Sequence, residues 1–237
     1  MNQIRIRAYW AYEDLASCML FAEGHLKVLK IFEIASITSA NMDWIYNPGV
    51  IVIQAESLDM EHVYGGVRIH LVNEFQPLPI ETAVGGMDPG LHAQIMKDPI
   101  EKTCEICGYY NTKENAVLGI GGNQLIRTAV AVVKKMQLQS VLALCAPYTV
   151  KTALDVGFEV AETLGTMGKF NYPKADIMAT VMILKNPDVL NCAAPLERKI
   201  IFNLAKEPRQ NVILESKTGP VELIYDLDIS TCKTLIS

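Results

Sequence analysis

Residues 103–158 constrain the fold more tightly than any other part of the chain. Residues 103–110 read as a strand, and a loop follows that ends in the run Gly119-Ile120-Gly121-Gly122. Residues 123–136 then place Leu125, Ile126, Ala129, Val132 and Val133 on one side of a helix. Residues 140–146 are almost wholly apolar, the pattern of a strand covered on both faces. Pro147 suits a helix start, and that helix runs to Val156 and stops at Gly157. Strand, helix and strand in this order pair in parallel through a crossover.

The remaining chain is mixed. Residues 4–9 alternate as a strand, and residues 14–32 carry Leu15, Met19, Leu20, Leu26, Leu29 and Ile31 at helical spacing, with Gly24 expected to split them into two helices. Asn47-Pro48-Gly49 is a turn that delivers a buried strand at 50–55, and 63–72 alternates as its antiparallel partner. Residues 76–100 hold Pro77, Pro79, Pro89 and Pro99 and read as a long connection with at most a short helix near 92–96, of the kind that often carries function. Strands are expected at 158–164 and 175–184, a helix at 195–206, and a hairpin from 211–216 and 221–226 around Lys217-Thr218-Gly219-Pro220. The fold class is therefore mixed α/β. It divides into a domain over 1–186 and a C-terminal helix and hairpin over 187–237.

Half of the 237 residues are hydrophobic, which excludes a low-complexity disordered chain and leaves room for a homodimer. The net charge is −5 and no Lys/Arg run is present, so nucleic acid is a poor partner. No apolar stretch approaches the length of a membrane span, and residues 1–7 lack the apolar core of a signal peptide, so the expected location is cytoplasmic. There the six cysteines, Cys18, Cys104, Cys107, Cys145, Cys192 and Cys232, are expected to be reduced thiols. Cys104 and Cys107 have CxxC spacing, but on a strand residues i and i+3 point to opposite faces. No second pair or histidine completes a metal-ligand set, and His25, His62, His70 and His92 show no metal spacing. Arg68 and His70 alternate and share one strand face.

A glycine-rich turn that opens a helix offers unpaired backbone N–H groups and the positive end of the helix dipole to an anion. The run 119–122 lacks the Gly-Lys-Ser/Thr of a nucleoside-triphosphate loop, and it lacks the strand context and distal acid of a dinucleotide fingerprint. Its neighbours say more than its glycines. Cys104-Glu105-Ile106-Cys107-Gly108-Tyr109-Tyr110, then Leu118-Gly119-Ile120-Gly121-Gly122-Asn123, then Gly157-Phe158 follow the order found in the GNAT superfamily of N-acyltransferases. The chain resembles that family over residues 1–186. The resemblance implies a mostly antiparallel central sheet with splayed fourth and fifth strands and flanking helices. It also implies an acyl-CoA co-substrate and no tightly bound cofactor. Ile106, Cys107, Gly108 and Tyr109 would hold the pantetheine arm, and Leu118, Gly119, Ile120, Gly121, Gly122 and Asn123 the pyrophosphate, with Tyr148 nearby. Three family positions differ, with Ala116, Ala146 and Ala153 standing where Gln/Arg, Asn and Tyr are usual.

Gly65-Gly66-Val67-Arg68-Ile69 with Glu105-Ile106 further resembles acyl-homoserine-lactone synthases and N-acyl amino-acid synthases. That likeness implies a cleft lined by Arg68 and Glu105, and acyl-carrier protein as an alternative donor. Glu105 would serve as base for a small amine or amino acid, and Arg68 would hold an acceptor carboxylate bidentately. Two other readings stand beside this one: a GNAT-fold protein that binds an acyl-thioester or other ligand without chemistry, and an oligomeric scaffold that lends its C-terminal hairpin to a partner's sheet. An open cleft faced by Glu105 and Arg68 favours the enzyme, and a plugged one the scaffold.

Overall fold

The computed structural model describes residues 2–34, 37–216 and 218–229. Lys217, Cys232 and the Ala116 side chain lie outside the described residues. The chain opens with β1 (Asn2–Trp10) and α1 (Leu15–Ile31), followed by the antiparallel pair β2 (Val50–Glu56) and β3 (Val63–Leu71). Two short helices, α2 (Pro79–Val84) and α3 (Gly90–Ile95), lead into β4 (Thr103–Asn111). After α4 (Lys113–Val117) come the long α5 (Gly122–Lys135), β5 (Ser140–Cys145) and α6 (Val150–Asp155). Short strands β6 (Glu159–Val160) and β7 (Lys169–Asn171) flank β8 (Met178–Lys185). The chain closes with α7 (Pro195–Lys206), β9 (Arg209–Ser216) and β10 (Gly219–Asp226).

Among the described residues, ten strands join one sheet in the order β6-β8-β5-β4-β3-β2-β1-β10-β9, with β7 also on β8. Most neighbours run antiparallel. The exceptions are β4 with β5, as the crossover reading requires, and β1 with β10, which pair in parallel from Asn2↔Val221 to Arg7↔Asp226. The C-terminal hairpin thus extends the sheet past β1, and α7 is tied to α5 by the partly buried Arg127–Glu197 ion pair.

Alternation along the strands sends two side-chain sets to two faces. One face, with Ile4, Ile6, Ile51, Ile53, Val67 and Ile69, packs under Leu125, Ala129, Val132 and Val133 of α5. The other carries two separate apolar clusters. Phe21 and Cys18 of α1 meet Tyr9, Val50, Val52 and Trp44 in one, and Ile80, Leu91 and Ile95 of α2 and α3 meet Leu142, Val181 and Ile183 in the other. Each fully buried Val, Ile, Leu or Phe contributes about 1.5–3 kcal/mol relative to exposure.

The following differences from the sequence reading have physical reasons. The helix α1 runs unbroken through Gly24, because the missing side chain is what lets Tyr110 lie against it; a Cβ there would sit 2.6 Å from the Tyr110 hydroxyl oxygen. The Pro-rich connection folds into α2 and α3, with Pro79 at a first helical turn where its missing N–H has no consequence. Pro147 lies in a turn closed by the Thr149 N–H donating to the Ala146 carbonyl (2.9 Å), so α6 starts only at Val150. The strand expected at 158–164 shrinks to Glu159–Val160, because Ala161 and Leu164 turn into the α2/α3 cluster.

Gly24→Ala sets a helix-propensity gain of about 1 kcal/mol against overpacking worth about 1–3 kcal/mol. Urea denaturation should show a net loss of roughly 1 kcal/mol. The loss should shrink in a Tyr110→Phe background, because the nearest clashing atom is then gone.

Candidate active site

The β4–β5 pairing lasts for three register pairs, Thr103↔Ser140, Cys104↔Val141 and Glu105↔Leu142, and then the strands part. The cause lies on the other side of β4. There Arg68 faces Cys107 and Gly66 faces Tyr110, so Val67 alone stands opposite both Gly108 and Tyr109. This is a β-bulge, and Gly108 supports it with φ +60°. A bulge bends its strand and increases local twist, which carries β4 away from β5 just beyond Glu105.

The gap is a cleft of about 260 Å³ that passes between the two strands. Its walls are largely apolar, with Ile106, Ala143, Cys145, Phe158 and Ala179 among them, and Glu105 stands in the lining. Of the residues expected to hold a donor, Ile106, Cys107, Gly108, Tyr109 and Tyr148 all line this cleft. Tyr148 stacks on Phe32, with ring centroids 5.6 Å apart.

Glu105 is 2% exposed, and its Oε2 accepts the Ile80 N–H at 2.8 Å. Burial pushes its carboxyl up to about 8, while the Ile80 N–H and the Arg68 charge pull the other way. Arg68 is fully buried, and its guanidinium lies 4.2 Å from the Trp44 ring centroid and 5.6 Å from that of Phe21. Gly108 matters here a second time, because a Cβ on it would come within 2.7 Å of Arg68 Nε. His70 is the register partner of Glu105 on the same face. Burial, with the nearby Arg68 charge, pulls its pKa well below the usual histidine value and that of His25 down to about 3, so both rings are neutral.

Arg68 does not join the cleft lining. Together with His70 it lines a second, polar cavity of about 220 Å³. Thr38 and Pro79 line both cavities. Thr38 is held there by its N–H donating to the Tyr172 hydroxyl (2.7 Å) and by its own hydroxyl donating to the Pro79 carbonyl (3.0 Å).

The glycine-rich loop lies outside the cleft lining and meets it through Tyr109, whose hydroxyl would be 2.6 Å from a Cβ on Gly122. Gly121 caps α5 without a side-chain hydrogen bond, leaving the first N–H groups of the helix without a side-chain acceptor from the cap. Gly119 packs on Ser216 of the C-terminal hairpin, and Leu118 packs on the core. The Ile120 side chain is buried, with its carbonyl accepting from Asn111 Nδ2 at 3.1 Å. Asn123 Nδ2 donates to Glu197 at 3.4 Å. An anion at this loop would therefore meet backbone N–H groups rather than the Asn123 amide.

Sequence reasoning did not select Trp44, His25, Thr38 or Tyr172. His25 was within reach, since it falls on the same helical face as Cys18, Phe21, Ala22 and Leu29. The Thr38–Tyr172 contact joins positions 134 apart and leaves no local signal.

No family model matches the chain, and no curated relative matches it. Solved structures do. It is similar to FeeM, an N-acyl amino acid synthase from uncultured soil microbes, at 12% identity and a TM-score of 0.61 over 83% of this chain and 99% of that one. It is also similar to the CoA-dependent acyl-homoserine lactone synthase BjaI, in a structure with SAM and isopentyl-CoA, at 12% identity and a TM-score of 0.52 over 94% and 96% of the two chains. A third is MesI, another CoA-dependent acyl-homoserine lactone synthase, at 11% identity and 0.52 over 86% and 95%. The fold is that of GNAT-type acyltransferases. Among the described residues no helix is long and apolar enough to cross a membrane, and no group of three or more His, Cys, Asp or Glu could hold a metal ion.

The Glu105 carboxyl also makes a stability prediction. Its folded value, near 8, lies above the ordinary 4.5, so the native state binds a proton more tightly than the unfolded one. Its contribution is fully present below about 4.5 and is lost as pH rises through 8. Denaturant titrations from pH 5 to 9 should show native stability falling by an amount on the order of a few kcal/mol, and Glu105→Gln should flatten that decline.

Proposed function

We propose that this protein is an N-acyltransferase, moving an acyl group from acyl-CoA or acyl-carrier protein to a small amine or amino acid. The observation that carries the reading is one buried carboxylate, Glu105, placed at the last paired residue before an open and mostly apolar cleft. An acyl chain is matched by the apolar walls, and the thioester carbonyl would lie beside β4 beyond Glu105. There the strand has lost its β5 partner, so backbone N–H groups facing the gap can take the developing oxyanion charge.

The chemistry follows from these groups. A neutral amine attacks the carbonyl carbon, a C–N bond forms, and the nitrogen gives its extra proton to the Glu105 carboxylate. The C–S bond then breaks and the thiolate takes up a proton, restoring the thiol. The hydroxyls of Tyr109 and Tyr148, both on the cleft, are the protein's candidate donors for that last step. Ala153, at the position where related enzymes commonly place a tyrosine, lines the same cleft and supplies no proton. That residue favours the alternative, a GNAT-fold protein that binds an acyl-thioester without turnover. The two readings share the donor site and differ in thiol release.

The test is a thermal-shift series with CoA, acyl-CoAs of rising chain length and acyl-carrier protein, followed by thiol release against a panel of amines. Thioesters should raise Tm, and release should follow with some amine. Glu105→Gln should lower kcat by roughly 10²–10⁴-fold while leaving the thioester shift intact. Because the base acts when ionised, kcat/KM should climb with pH around a midpoint near 8. A chain that no thioester stabilises would rule out the donor site, whereas stabilisation without thiol release would leave the binding protein.

A further inference from the structure

The polar cavity beside the cleft has chemistry that the proposed reaction has not yet used. Seven polar or charged side chains line it: Arg68 and His70 on β3, with Thr38, Asn41, Asp43, Gln76 and Thr82 around them. His70 is 2% exposed, and its Nε2 has no hydrogen-bond partner among the described residues. A buried polar nitrogen without a partner is unfavourable, and protein interiors rarely leave one so. On β3, His70 stands two residues from Arg68 on one face and is the register partner of Glu105 across the ladder. A molecule touching both Arg68 and His70 therefore lies next to the carboxylate proposed as base, and Thr38 and Pro79 line both this cavity and the cleft.

We propose that this cavity is the acceptor site and that His70 positions the acceptor through a hydrogen bond at Nε2, which selects small amines carrying a carboxylate and a hydroxyl or amide group over amines with an apolar side chain. The inference rests on the N-acyltransferase reading above and adds to it the class of acceptor. Arg68 supplies the positive charge a carboxylate needs. The neutral imidazole of His70 can present Nε2 as donor or as acceptor according to its tautomer, and a hydroxyl or primary amide can answer either. An apolar side chain would instead desolvate Thr38, Asn41, Gln76 and Thr82 with nothing returned to them. Sites built to hydrogen-bond a substrate discriminate strongly against analogues that lack the group.

The experiment compares serine, threonine and glutamine with alanine, leucine and phenylalanine as acceptors, at saturating acyl-CoA. It uses the native protein, His70→Leu and His70→Gln, with circular dichroism confirming that each variant is folded. In the native protein kcat/KM should favour the polar group by about tenfold or more. His70→Leu should raise KM for the polar acceptors about tenfold, leave the apolar ones nearly unchanged, and spare the acyl-CoA thermal shift. His70→Gln, which keeps a hydrogen-bonding group, should recover much of the loss. Equal use of apolar acceptors, or an equal loss for all six in His70→Leu, would overturn the proposal. Should no acceptor release thiol, the transferase reading falls, and calorimetric titration of the same amino acids decides the cavity by itself. Binding of serine or threonine that weakens in His70→Leu would uphold the polar site, and no binding would dismiss it.

Discussion

Opposite the single residue Val67, β4 carries two, Gly108 and Tyr109, and it absorbs the extra one because Gly108 takes a left-handed conformation. The cleft depends on that local accommodation. Had β4 stayed in register, its hydrogen bonds to β5 could have continued past Glu105 and the sheet would have no gap. The same glycine leaves room for the Arg68 guanidinium, which no side chain at that position could allow. One residue thus opens the cleft on one side of β4 and seats a buried cation on the other.

Buried charge beside apolar packing sets the electrostatics of the site. Arg68 is stabilised by aromatic faces and by Cys107, and its field helps to keep both nearby histidines neutral. Glu105 feels the same cation, yet burial dominates and holds its carboxyl near 8. A carboxylate tuned this way is a stronger base than one in water, which suits removal of a proton from an alkyl-ammonium intermediate. The apolar clusters on either side of this polar strip, one under α1 and one under α2 and α3, exclude water and so produce the shift.

Much of the frame was legible because it follows periodicity. The parallel crossover, the β2–β3 hairpin, the apolar stripe of α5 and the bounds of α7 follow from spacing-2 and spacing-3.6 patterns. Glu105 and residues 106–109, expected to hold a donor, came from a resemblance in motif order, and all of them line the cleft. What stayed hidden is what spacing cannot encode. Gly24 reads as a break until Tyr110 is known to lie on it. Trp44 carries no signal of its own until β3 brings Arg68 beneath its ring. Arg68 and Glu105 look like partners in one cleft, whereas Glu105 lines the cleft and Arg68 a neighbouring cavity, with Thr38 and Pro79 lining both.

The parallel pairing of β1 with β10 has a consequence in time. Asn2 and Val221 are register partners, so the inner edge of β1 is covered only after more than two hundred further residues exist. At roughly 5–20 residues per second of synthesis, that interval is about ten to forty seconds. Through it β1 can pair with β2, while its other side offers unpaired N–H and C=O groups to any strand it meets. The alternating Arg5 and Arg7, both held by Glu56, put charge on one face of that waiting edge. The closing hairpin, in kinetic terms, is the step that retires an aggregation hazard carried since β1 itself was made.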